Sequence, residues 1–140
     1  MNNSNTGEDK MRLTIVGPHF FSYVDAITSH ISTLGVPVQG IYERGAESFF
    51  IKAVFRSSLL RKIFHNVVKK QHQVIARKVA DFNSSHVLFI SPESVNESLI
   101  KTLKNTGVKV SLYMWDSFDN KPAARSCLLD FDNASSFDPL

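Results

Sequence analysis

A handful of polar and aromatic residues stand just past the ends of short apolar runs, where side chains are free to meet a ligand. They are His19 after Gly17-Pro18, Glu43 with Arg44, Glu93 in Ser91-Pro92-Glu93, Trp115-Asp116-Ser117, and Asp138 near the end of the chain. Brought together, they would suit a polyhydroxylated ligand. Carboxylates accept paired hydrogen bonds from neighbouring hydroxyls, and an aromatic ring offers a flat apolar face with a polar edge. His19 or Asp116 is placed to act as a general base on a ligand hydroxyl. Each residue also has a plainer role. His19 fits a helix start, Asp116 and Ser117 fit a turn before Pro122, Trp115 fits the core, and Glu43 with Arg44 fits a surface ion pair of little energetic weight.

The elements that must position these residues follow from hydrophobic spacing. Residues 12–17 form a β-branched apolar run that stops at Gly17-Pro18, as a buried strand does. Val24, Ile27, Ile31 and Leu34 recur at three- and four-residue steps, predicting a helix over about 21–34 with Gly35 at its C-terminal cap. A second strand spans 36–42. Residues 45–82 read as a long helical region, divided near Ser57-Ser58, with Leu60, Phe64, Val67, Gln71, Ile75, Val79 and Phe82 on one face. A third strand at 86–90 is apolar throughout, as strands covered on both faces are. Ser94 and Glu97 match a capping box for a helix over 94–105, closed by Thr106-Gly107. Residues 108–115 alternate apolar and polar as a fourth strand. Pro122 opens a short helix running to about 129, and 134–137 read as a fifth strand. This alternation predicts a single α/β domain over 11–140, a Rossmann-like parallel sheet of about five strands with helices on both faces, preceded by a polar leader over 1–10. Because the last strand has no helix after it, the fold reads as truncated at the C-terminus. In such sheets ligands bind at the carboxyl ends of the strands, which is where the polar residues fall.

Composition narrows the possibilities. An apolar share of 43% with eleven Phe excludes a disordered chain. No apolar run is long enough to span a membrane, and the polar first ten residues exclude a secretory signal. A single cysteine, Cys127, excludes a disulfide framework and a thiolate metal site, and points to a reduced, cytoplasmic setting. Neither a metal site nor a cofactor is expected: His65 and His72 lie seven apart without a carboxylate, and the Gly-x-Gly-x-x-Gly turn, the phosphate-binding Gly-Lys loop and the Gly-x-Ser-x-Gly elbow are all missing. Charge is segregated. Residues 52–78 hold eight Lys or Arg and no acid, which leaves eight bases against thirteen acids elsewhere. A solvated helix face accounts for this stretch. So does contact with anionic lipid headgroups or a phosphorylated, lipid-linked substrate, given Phe49, Phe50 and Phe55 alongside. Nucleic acid is the weaker reading, since no nucleic-acid motif accompanies the charge.

The segment from Leu112 through Tyr113-Met114-Trp115-Asp116-Ser117-Phe118-Asp119-Asn120, followed by Leu128-Leu129-Asp130-Phe131-Asp132-Asn133 and Ser135-Ser136-Phe137-Asp138-Pro139, resembles a bacterial glycosyltransferase-like family. That family belongs to capsule and lipopolysaccharide biosynthesis. In it a strand ending in Tyr-x-Trp-Asp-Ser precedes a short helix and a Phe-Asp strand. The resemblance covers residues 86–140 by motif and the remainder by order of elements. It implies the acceptor-side half of a two-domain GT-B-like transferase, with a sugar or lipid-linked sugar acceptor as ligand. It further implies a protein inactive alone, needing a donor-binding C-terminal half or a partner subunit, and a cytoplasmic location, peripheral to the membrane if the basic stretch touches lipid. A non-catalytic α/β binding module that assembles with another subunit through an open sheet edge is the alternative.

Overall fold

A computed structural model describes residues 10–19, 22–43, 53 and 57–137. Five strands, β1 (Leu13–Gly17), β2 (Val38–Tyr42), β3 (His86–Ile90), β4 (Lys109–Met114) and β5 (Asn133–Ser136), form one sheet in the order β2-β1-β3-β4-β5. Every neighbouring pair is parallel. The helices are α1 (Tyr23–Thr33), α2 (Ser58–Ile63), α3 (His65–Asp81), α4 (Glu97–Lys104) and α5 (Pro122–Ser126), with short 3-10 turns at Phe118–Asn120 and Leu128–Asp130. The fold is therefore the Rossmann-like α/β sheet that the strand–helix alternation predicts. All five expected strands are present, and the fifth lies beside β4 in parallel.

Strand pleating divides the core in two. Val16, Ile41, Val87, Phe89, Val110, Leu112 and Met114 point to one face, where they pack with Ile75 and Val79 of α3, Leu99, Ile100 and Leu103 of α4, and Ala124 of α5. The alternate residues, Leu13, Ile15, Leu88 and Ile90, point to the other face and meet Val24, Ile27 and Ile31 of α1. Two glycines let α1 approach. A Cβ on Gly17 would stand 2.9 Å from Val24 Cγ2, and one on Gly40 would stand 2.8 Å from Val24 Cγ1 and 2.9 Å from Thr28 Oγ1.

Helices lie on both faces, but unequally. On the α1 side, no described helix covers β4 and β5, and Lys109, Tyr113, Asn133 and Ser135 are exposed there. The alternation of β4 encodes this arrangement, since only its inward row is apolar throughout. No helix among the described residues is long and apolar enough to cross a membrane.

Three local expectations change. The long helical region breaks at Phe64 as well as near Ser57, whose Oγ accepts the Leu60 amide at the start of α2. Along α3 the fully buried positions are Val68, His72, Ile75 and Val79, so His72 occupies the core-facing stripe and Gln71 sits at its margin. The capping box at Ser94 does not form. Asn96 caps α4 by accepting the Leu99 amide at 2.9 Å, because the Ser94 hydroxyl is engaged elsewhere.

Candidate functional site at the carboxyl edge of the sheet

Chain order in the sheet reverses between β1 and β3. From β1 the chain adds β2 on one side, and after β3 it adds β4 and β5 on the other. The loops leaving β1 and β3 therefore diverge and open a crevice at the carboxyl edge, the place where doubly wound sheets take ligands. Because all strands are parallel, His19, Glu43, Glu93, Trp115, Asp116 and Ser117 all stand on that edge, as the sequence reading requires. Arg44 and Asp138 lie outside the described residues. His19 and Asp116 follow β1 and β4, two strands apart or about 10 Å of sheet, so they stand apart on the edge rather than touch each other.

Two ring pairs border the crevice. The His19 imidazole lies over Tyr42 with centroids 4.4 Å apart, and Tyr23 meets Trp115 edge-on at 5.3 Å. The first turn of α1 joins the pairs. Tyr23 reaches Trp115, and Asp25, two residues on, accepts the Tyr42 hydroxyl at 2.5 Å. Burial, and after it that bond, raise the Tyr42 phenol to about 12, so it remains a proton donor across the neutral range. Tyr23 is 45% exposed and Trp115 half-buried, which leaves ring surface open to a ligand.

Glu43 departs most from expectation. It is buried, 1% exposed, and is no surface partner for its neighbour. Its Oε2 accepts the Glu93 amide at 2.7 Å, and its Oε1 accepts the Ser94 amide at 2.5 Å and the Ser94 hydroxyl at 2.7 Å. Burial pushes its carboxyl above the usual carboxylate range, while the three donors pull it back. With both oxygens engaged, Glu43 fixes the loop after β3 and is a positioning residue for the edge. That loop is also held from β4, since Ser91, at φ 40°, accepts the Trp115 amide through its Oγ at 3.1 Å. Comparisons with protein-family models, curated proteins and solved structures find no match to this chain.

The remaining edge residues divide by role. Glu93 lies 3.6 Å from Lys121 and is partly buried. Asp116 Oδ1 accepts the Ser117 amide at 2.8 Å and Asn120 Nδ2 at 3.0 Å, and Ser117 Oγ accepts the Asp119 amide. Asp116 and Ser117 thus build the turn before Pro122. The Asn120 and Ser117 donors hold the Asp116 carboxyl below its usual range, which makes it a weak base. Of the two candidate bases, His19, exposed at the crevice, is the better disposed. Cys127 is buried, and burial lifts its thiol to about 11, so it stays protonated and inert. Among the described residues no group of three or more His, Cys, Asp or Glu could hold a metal.

Sequence reasoning missed Ser94 and His72. His72, 9% exposed, stands 3.0 Å from the Ser94 carbonyl through Nε2. Since a carbonyl only accepts, Nε2 carries the proton, and Nδ1 holds the ring's lone pair. Burial lowers the His72 pKa, so the ring is neutral. Glu43, Ser94 and His72 thereby form one buried polar chain beneath the edge. The only sequence signal was a histidine in an otherwise apolar stripe.

Proposed function

We propose that this domain binds a sugar acceptor at the carboxyl edge of its sheet, as the acceptor-side half of a glycosyltransferase-like protein of bacterial surface-polysaccharide assembly. The observation that carries the reading is the pair of ring contacts, His19 on Tyr42 and Tyr23 against Trp115, bordering the crevice where chain order reverses. Aromatic rings present apolar faces to the C–H faces of a saccharide, while Asp25 and the Tyr42 hydroxyl offer polar contacts around it. Transfer would need a donor-binding half opposite this edge, with His19 placed to take the proton from the acceptor hydroxyl.

Trp115 is the only tryptophan in the chain, so its fluorescence reports on this edge alone. Titration with a panel of lipopolysaccharide-core oligosaccharides and methyl hexosides is expected to shift its emission saturably, and Tyr23→Ala is expected to weaken binding at least fivefold. A panel that leaves the emission unchanged would overturn the proposal.

Residues on α2 and α3 also favour a peripheral location at an anionic membrane, where lipid-linked acceptors are presented. Leu59 is 65% and Ile63 58% exposed on α2, next to Lys62 and followed by Lys69 and Lys70. Exposed apolar residues interleaved with lysine suit a headgroup interface. Co-sedimentation with vesicles rich in phosphatidylglycerol, lost in a Leu59→Ser/Ile63→Ser variant, is the expected result. Equal recovery with neutral vesicles would refute this part.

A further inference from the structure

On the face opposite α1, the helices do not close over one another. A cavity of about 830 Å³ opens between α3 and α5, with α4 along its base. That volume is in the range of small-molecule sites. One wall carries Lys62 of α2 and then His65, Lys69 and His72, which step by four and three residues along α3. The base is apolar at Val68, Val95 and Leu99. Ser98, Thr102 and Ser126 also line it, with the Thr102 and Ser126 hydroxyls donating to the Ser98 and Ala123 carbonyls. No acidic residue lines the cavity among the described residues, and no described carboxylate pairs with Lys62 or Lys69.

The lining therefore sets two lysines and two imidazoles beside an apolar base. His72 adds a fixed element. Its Nε2 proton is committed to the Ser94 carbonyl, which orients the ring and leaves Nδ1 as an acceptor on a residue that lines the cavity. Glu43 holds Ser94 in turn, so the position of this imidazole is set by a buried network rather than by the cavity.

We infer that this cavity is a binding site for a small phosphate monoester carrying a compact apolar body. Lys62, Lys69 and His65 take the phosphate oxygens, and the apolar part lies on Val68, Val95 and Leu99. His72 Nδ1 accepts from a donor group on the ligand. Lysine serves such a phosphate as a point charge. The inference does not depend on sugar binding at the carboxyl edge, because the two sites share no ligand-contacting residue.

Phenyl phosphate is the probe, followed by two-dimensional NMR on the intact chain, with phenol and inorganic phosphate as its separated halves. Saturable shifts are expected at the amides of Lys69, His72, Leu99 and Thr102, and both halves are expected to bind at least tenfold more weakly than the whole. A Lys62→Gln/Lys69→Gln variant is expected to lose at least tenfold in affinity. An Arg77→Gln/Lys78→Gln variant, with the same charge change on α3 outside the cavity, is expected to lose less than twofold. All four positions are exposed, so neither variant threatens the fold. Equal losses in the two variants, or shifts that follow the basic stretch instead of the cavity, would overturn the inference. The Trp115 emission is expected to stay unchanged with phenyl phosphate, so failure here and failure of the sugar-binding proposal remain separate outcomes.

Discussion

Replacing Glu43 by alanine is the most informative perturbation of this molecule. The substitution strands the part-buried Glu93 N–H, the buried Ser94 N–H and the Ser94 hydroxyl, all of which end on the carboxylate. A buried donor left without an acceptor costs about 1–3 kcal/mol. The hydroxyl can rotate toward another acceptor, so the two amides set the scale, roughly 2–6 kcal/mol. Removing a buried carboxylate returns part of that, since burying the group was itself unfavourable by several kcal/mol. The net expectation is a loss of about 3 kcal/mol. Glu43→Gln separates the terms. Its carbonyl keeps both Ser94 contacts, while its amide nitrogen meets the Glu93 N–H and loses one bond, for about 1–2 kcal/mol. Urea unfolding followed by far-UV circular dichroism gives both values. Hydrogen exchange at Glu93 and Ser94 is expected to quicken about tenfold for each 1.4 kcal/mol of local stability lost. An alanine variant within 0.5 kcal/mol of the parent, on the order of a surface substitution, would refute the claim that Glu43 holds the loop.

Other expectations follow from the same geometry. His72 has a folded pKa below its ordinary value of 6.5, so the unfolded chain binds its proton first. Stability should therefore fall as pH drops through and below about 6.5, and His72→Gln should flatten that part of the stability–pH curve. Glu43 acts with the opposite sign. Its folded pKa lies above 4.5, the folded state keeps the proton longer, and stability should decline as pH rises from 4.5 through the folded value, a slope absent in Glu43→Gln. Gly40→Ala forces a Cβ against Val24 and Thr28 and should cost about 1–3 kcal/mol by thermal unfolding, with partial recovery on adding Val24→Ala. Cys127 should react with an aromatic disulfide reagent at least a hundredfold more slowly in the native protein than in urea, and fast native labelling would contradict its burial.

Much of the fold was legible because it rests on local pattern. Strands such as His86–Ile90 announce themselves as short apolar runs, and Gly35 and Gly107, at φ 78° and 86°, end helices as their positions suggest. The location of the edge residues followed from parallel pairing alone. What stayed hidden depends on partners distant in the chain. Ser94 fits a capping box by local chemistry, yet Glu43, fifty-one residues earlier, takes its hydroxyl and leaves the cap to Asn96. The exchange of Gln71 for His72 on the inner stripe has the same origin, since the Ser94 carbonyl gives the imidazole a partner that no pattern within α3 could announce. The pairing of Tyr23 with Trp115 was equally out of reach, since it requires the start of α1 and the end of β4 to meet at the carboxyl edge.

The unequal dressing of the sheet has its own consequence. Three helices back one side, whereas α1 alone backs the other, held by Val24 seated against two glycines and by a few aliphatic neighbours. That single helix packs on β1 and β2, and the neighbouring strands β4 and β5 stay wet on the same flank. Tyr23 and Asp25 ride on its first turn. Any ligand proposed for this edge would therefore meet a layer one helix thick, backed by a sheet whose far side carries three.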